Sequence, residues 1–497
     1  MIGSSPSSES ESNVSVSRPN SKHICNLCVE ENYLSQEITS KGLLRKCTYC
    51  GKRGLTYSVD TLASRIETAF NEHFVRTPTE PSGYEAAMHY DRESNYEWTR
   101  PGARTVDAIR DAAEIPEQAA KEIQELLETK YARYDPNDYP EETEFDSDAH
   151  YEEKRADDAQ WQSNWQSFEF SLKTRARFFD RSGAEHLAAI FAEIDKMHSR
   201  AGKPLVIDAG PGAMLSSLYR ARVFQSDAKL EEAIARPDRH VGPPPFEYAS
   251  AGRMNAHGIS VFYGANEAQT ALAEVRPPVG SRVVVARFEI IRPLRLLDLT
   301  AVSDAVSYGS VFDPTLASRI QRAAFLRSLS ARITKPVMPD DERFDYLATQ
   351  AIADYLATES AIPLDGIVFP SAQASNGAVN VALFHKASRV EHIKLPEGMT
   401  LTSSLGQFEE DGWMTDYEVI ERVPSAKESK IKPQEPSPQT PFALAHSSSE
   451  EDVRENTLRI ELNDVKVHQI ERVKIEAQEY EVTRFRWEKD STEDADF

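Results

Sequence analysis

Four cysteines stand in two equally spaced pairs, Cys25-x2-Cys28 and Cys47-x2-Cys50, with eighteen residues between them. A Cys-x2-Cys turn lets two thiolates face a common metal, and two such turns complete a tetrahedral four-sulfur shell. The cation expected is zinc. It would be structural, because four thiolates leave no position open for water or substrate. Gly51, directly after the second pair, suits a knuckle whose backbone enters positive φ. The chain has no other cysteine, so a catalytic thiol is excluded.

A second set of chemistry-bearing residues lies in three segments between Leu218 and Phe384. Leu218-Tyr219-Arg220-Ala221-Arg222 carries two arginines in an apolar frame. GRMNAHGISVFYGANEAQTALAEVRP runs from Gly252 to Pro277, and DGIVFPSAQASNGAVNVALF from Asp365 to Phe384. Arg220 and Arg253 offer planar forks suited to two phosphates, with Arg222 the alternative to Arg220. Tyr263 ends an expected strand, ISVFY, where it can stack on a flat ring. Glu274 lies in an expected helix, NEAQTALAE, which Asn266 is placed to cap with Gln269 completing a capping box. Ser371 and Asn380 supply neutral donors and acceptors at strand ends, as ribose hydroxyls require. Together these groups suit a dinucleotide. The site is not of Rossmann type, since Gly-Pro-Gly at Gly210 stands without a GxGxxG pattern.

The order and spacing of the three segments resemble the RES family over about Pro204 to Lys394. The resemblance implies a fold like the ADP-ribosyltransferase toxins and an enzyme that degrades NAD. Under it, Arg220 and Arg253 hold the pyrophosphate or orient the acid, and Tyr263 stacks near nicotinamide. Glu274 stabilises the ribosyl cation, and Ser371 completes the catalytic set of Arg253, Tyr263, Glu274 and Ser371. Arg220, Arg253, Tyr263, Ser371 and Asn380 are then the NAD-binding residues. Two departures stand out. Met254 follows the Gly-Arg pair where the family usually has Trp, and a long insertion, VFQSDAKLEEAIARPDRHVGPPPFEYASAG, separates the first two segments. A lid or substrate gate is one reading of that insertion. The region ahead, on WQSFEFSLKTRARFF and the helix after it, resembles the HEPN-type helical domain found before some RES domains. HEPN nucleases use an Arg-x(4–6)-His pair, which Arg181-x4-His186 formally fits.

The elements that must position these residues follow from composition and periodicity. A chain of 497 residues with 40% hydrophobic content builds several cores. The expected plan is α+β and multidomain: a Ser-rich tail at 1–22, a four-Cys zinc ribbon at 23–56 and an all-α domain at 57–203. The catalytic α+β domain follows at 204–423, then a Pro/Ser-rich linker at 424–457 and short docking strands at 458–490. Leu187, Ile190, Phe191, Ile194 and Met197 fall on one face of a last helix in the all-α domain. Before it, Val106 to Tyr131 reads as two helices divided near Pro116, and an acidic, aromatic stretch around Tyr134 to Phe170 as solvated surface with a few anchoring rings. In the catalytic domain Val283 to Ile290, Gly366 to Phe369 and Val379 to Phe384 are strand-like, with helices around Pro314 to Ile333 and Phe344 to Ala357. The period-two pairs Val465/Val467, Val473/Ile475, Tyr480/Val482 and Phe485/Trp487 suggest three short strands.

A net charge of −23 disfavours broad nucleic-acid binding. No apolar run is long enough to span a membrane, and no apolar leader opens the sequence, so the cytosol is the expected compartment. Three functions remain open: NAD breakdown by hydrolysis, phosphorolysis or ADP-ribosyl transfer; an RNase acting through the helical domain; and a non-catalytic nucleotide sensor. An antitoxin or regulatory protein and a second copy of the chain are the partners these readings allow.

Overall fold

The computed structural model describes residues 22–90, 95–132, 142–338, 340–373, 377–410, 412–424, 452–474 and 477–486. The Ser-rich tail up to residue 21, the bulk of the linker, and Ile475 and Trp487 lie outside them. The chain divides into two compact units: Met1–Val206 with Leu299–Lys335, and Ile207–Asp298 with Pro336–Phe497.

In the first unit the strands His23–Cys25, Arg53–Ser58 and Leu43–Lys46 form one antiparallel sheet. A helix at Asn32–Lys41 stands between the two cysteine pairs. Ile24, Val29, Leu34 and Ile38 from this segment share one buried cluster with Leu62, Ile66, Phe70, Ile109 and Ile123. The cysteine segment and the helices after it are therefore one packed body. Ser58 ends the last strand and caps the helix Val59–His73, accepting from Thr61 N at 3.1 Å.

The region from Tyr57 onward is not all-α. Phe74–Arg76, His150–Glu153 and Ala103–Arg104 form a second small sheet, held where Arg100 grips both Glu142 oxygens at 2.6 and 2.7 Å. The acidic stretch is anchored by buried Phe145, Tyr151, Trp165 and Phe168. The expected last helix stops at Ile190. Leu187, Ile190, Phe191, Ile194 and Met197 are all buried, but Glu193 turns the backbone to φ 48° and the chain continues as a 3₁₀ turn at Ile194–Lys196. Helix Leu316–Thr334, expected in the catalytic domain, packs in this unit, with Phe325 against Trp161 and Trp165.

The second unit is built on one mixed sheet. Its strands are β1 (Val206–Ala209), β2 (Ser217–Phe224), β3 (Phe262–Ala265), β4 (Arg282–Ile290), β5 (Leu294–Asp298), β6 (Gly366–Pro370) and β7 (Val379–Leu383). A separate hairpin, β8 (Thr400–Glu409) and β9 (Gly412–Arg422), precedes β10 (Leu458–Gln469). The sheet order is β10-β4-β2-β3-β7-β6-β5-β1. All registered pairs are antiparallel except β5 with β6. The three period-two strands expected near the C-terminus are replaced by the single β10, whose ladder along β4 runs from Leu458 to Gln469. A ladder that long satisfies an edge that three short strands would leave open. Tyr480, Val482 and Phe485 are exposed and outside any strand.

Side chains alternate across the sheet. Leu218, Phe224, Phe262, Val284, Phe288, Val381 and Leu383 form the buried face that packs Leu230, Ala233 and Ile234 of helix α1 (Asp227–Ala235). Ala221, Ala265, Val283 and Val285 form the other, against Ala271 of helix α2 (Ala268–Glu274).

Candidate functional site

Glu274 is the last residue of α2; Val275 is its C-cap, and Arg276 then adopts φ 43°. Its carboxylate meets two donors on one oxygen. Ser371 Oγ donates to Glu274 Oε1 at 2.5 Å and Asn380 Nδ2 to the same atom at 2.7 Å. Oε2 accepts no hydrogen bond among the described residues. Asn380 is buried and lies opposite Ala265 in the β3–β7 ladder. It therefore shares the α2 face, as does Tyr219, which lies opposite Ala265 on the other side. Ser371 follows β6, where Ser371 N donates to Ala378 O at 2.9 Å and closes the connection to β7. Sequence reading placed Ser371 and Asn380 on a ribose. In the structure both donate to Glu274.

Tyr263 is the second residue of β3 rather than the end of a strand, and lies opposite Ala382. Being two residues from Ala265, it is on the Glu274 face. Its hydroxyl accepts from Met254 N at 2.9 Å and donates to Asn255 Oδ1 at 2.9 Å. Burial pushes this phenol up to about 12. A Cβ on Gly252 would sit 2.6 Å from Asn255 Oδ1 and 2.8 Å from the Tyr263 hydroxyl; the glycine admits this close approach. Tyr263 thus fastens the loop that carries Arg253. Met254, the next residue of that loop, is buried.

Arg220 projects from the opposite face of β2, with its guanidinium 5.1 Å from the centre of the Phe262 ring. Its Nη1 donates to the Tyr263 carbonyl at 3.1 Å, where β2 and β3 have diverged after the single register pair Ala265–Tyr219. Burial lowers it to about 10, leaving it cationic at neutral pH. Arg222 is on that same face and donates to His240 O at 2.7 Å. The structure therefore joins Glu274, Ser371 and Asn380 directly. It joins Arg253 to Tyr263 through a loop, and Arg220 to Tyr263 through a carbonyl.

Two further readings change. Asn266 does not cap α2, whose N-cap is Glu267 without a side-chain bond. Instead Asn266 Oδ1 accepts from Val379 N at 3.0 Å and ties β7 beside the site. The helical part of the insertion after β2 is not a lid over Glu274. Its helix α1 is buried in the core of the opposite face, and Arg236 pairs with fully buried Asp238 at 2.7 Å.

The four cysteine sulfurs lie within 4.8 Å of one another. Cys25–Cys28, Cys25–Cys50 and Cys28–Cys47 are 3.7, 3.6 and 3.8 Å apart. Tetrahedral zinc with bonds of about 2.3 Å requires sulfur separations of about 3.8 Å, so the donor set fits that ion. Gly51 has φ 73°, and its N–H closes the knuckle on Cys47 O. Burial pushes the Cys25 and Cys28 thiols up. Burial also resists ionisation of Cys47, but backbone N–H groups around it carry that thiol down to about 7. A central dication would hold all four as thiolates.

No hydrogen bond or ion pair joins Arg181 to His186 among the described residues. Arg181 is exposed at the first position of its helix. His186 packs among Trp161, Trp165 and Phe168, with Nε2 buried and unpaired.

No curated protein and no solved structure matches this chain. Residues 217–403 match the RES domain, a span that contains Arg220, Arg253, Tyr263, Glu274, Ser371 and Asn380.

Proposed function

We propose that the second unit is a toxin-like enzyme that breaks the nicotinamide–ribose bond of NAD, with Glu274 as the group that stabilises the ribosyl cation. The observation that carries this reading is the double clamp on Glu274 Oε1. Hydrogen bonds to a charged group contribute about 1.5–3 kcal/mol each. Two on one oxygen hold the carboxylate in a single orientation and leave Oε2 for the substrate. As the glycosidic bond breaks, its electron pair passes to the nicotinamide nitrogen and positive charge develops at the ribose C1′. A preorganised carboxylate lowers the energy of that state more than of bound NAD. An oxygen nucleophile (water, phosphate or a protein side chain) then bonds to C1′ and gives up its proton.

Arg253 would meet the pyrophosphate, with Arg220 supporting Tyr263 from beneath. The RES match supports an NAD-linked reading, and an antitoxin-like regulator and a cytosolic setting are part of the same proposal. The cysteine cluster would carry a structural zinc. The ADP-ribosyltransferase-like fold, the HEPN-like first domain and homo-oligomer formation belong to the same proposal. The test is incubation of the full chain with NAD, followed by product analysis. Nicotinamide release is expected, and intact NAD would overturn the reading. Among the described residues no helix is long and apolar enough to cross a membrane.

A further inference from the structure

The loop bearing Arg253 is gripped from one side by a single helix, α3 (Glu342–Thr358). Three of its residues, Tyr346, Thr349 and Gln350, are spaced three and four apart and so share one helical face. Each reaches the loop. Thr349 Oγ1 donates to Arg253 O at 2.6 Å, and Gln350 Nε2 donates to Gly252 O at 2.9 Å. The Tyr346 ring lies under the Arg253 guanidinium, 5.4 Å from its centre, while the Tyr346 hydroxyl donates to Glu342 Oε1 at 3.1 Å. Thr349 is buried, so its contact is sheltered from water. The backbone of Gly252 and Arg253 is thus fixed by one hydrogen bond each, and the Arg253 guanidinium rests against an aromatic ring. Tyr263 holds the same loop through Met254 N.

We propose that α3 is the positioning element for the anion site at Arg253, and that Tyr346 sets the affinity of that site for a diphosphate. The proposal rests on the functional reading above for the identity of the ligand, but the geometry is independent of it. A guanidinium held against a ring is already oriented when a phosphate arrives, whereas an Arg that is not held must first be ordered. Tyr346 therefore acts through Arg253, before and during binding, and not on the glycosidic bond.

The experiment uses the full chain and two probes. Calorimetric titration with inorganic pyrophosphate reads the anion site alone, and steady-state NAD turnover reads it within the reaction. Tyr346→Leu removes the aromatic face and should weaken pyrophosphate binding about 5- to 30-fold. KM for NAD should rise by the same factor, with kcat within about twofold, because the phosphate is charged in both ground and transition states. Tyr346→Phe keeps the face but not the hydroxyl and should fall between the wild type and Tyr346→Leu on both measures. Thr349→Val removes one backbone anchor and should also act on binding. A Tyr346→Leu variant that binds pyrophosphate like the wild type, while Arg253→Ala does not, overturns the proposal, as does a wild type that fails to bind pyrophosphate. The expected pyrophosphate pattern in a protein that leaves NAD intact would retain the positioning role and discard the NAD reading.

Discussion

Ser371 Oγ lies 2.5 Å from Glu274 Oε1 although 97 residues of chain separate them. The contact is made because α2 ends over the sheet face on which β6 finishes, and Asn380 of the neighbouring β7 reaches the same oxygen. The serine therefore donates to the acid, and its proposed role is to orient that carboxylate.

Ser371→Ala should lower kcat about 10- to 100-fold, the worth of one hydrogen bond to a charged group. Asn380→Ala should fall in the same range, and the double variant should lose less than the product of the two, since both act on one atom. Steady-state kinetics on the three variants checks this. Full additivity would mean that the two side chains serve separate purposes.

The cysteine cluster should carry one zinc per chain, measurable by metal analysis of freshly purified reduced protein. Ile24, Leu34 and Ile38 share their core with Leu62, Phe70 and Ile123. Cys47→Ser should therefore lower the thermal midpoint of the first unit as a whole, rather than loosen a separate N-terminal module. Zinc should be released as pH falls and the thiolates take up protons. Protein without zinc and with an unchanged midpoint in Cys47→Ser would contradict the assignment.

Burial among three aromatic rings holds the His186 imidazole below its ordinary value of 6.5. The unfolded chain then binds a proton that the folded chain resists, so stability is full above about pH 6.5 and declines as pH falls below it. The thermal midpoint should drop between about pH 7 and pH 5, and His186→Leu should flatten that slope without lowering NAD turnover. Loss of toxicity in cells from a folded, normally abundant His186→Leu protein that still turns over NAD would bring the nuclease-type pair back into consideration.

Much of the second unit was legible because its strands are apolar runs of strand length: Val283 to Ile290 falls within β4, Gly366 to Phe369 within β6, and Val379 to Phe384 matches β7 up to Leu383. What failed were features decided by packing at a distance. Leu316–Thr334 has a clear helical pattern, but nothing local says that it packs with Trp161 and Trp165. Val465 and Val467 alternate as expected, yet only the length of the β4 edge makes one strand of Leu458–Gln469. At the site, the resemblance supplied the residues and the fold supplied their partners. Asn266 was read as a cap because a cap is a local device, whereas its partner Val379 is 113 residues away. Tyr346, Thr349 and Gln350 carried no motif. Their role becomes visible only where the helix meets the Arg253 loop.

The central claim is that Glu274 acts on the transition state, and Glu274→Gln tests it most directly because it removes the charge while keeping shape. The measurement is nicotinamide release from NAD by wild type and variant, with folding checked by thermal unfolding. The account predicts a fall in kcat of about 100- to 1,000-fold with KM changed little. A folded Glu274→Gln protein that releases nicotinamide at the wild-type rate would contradict it.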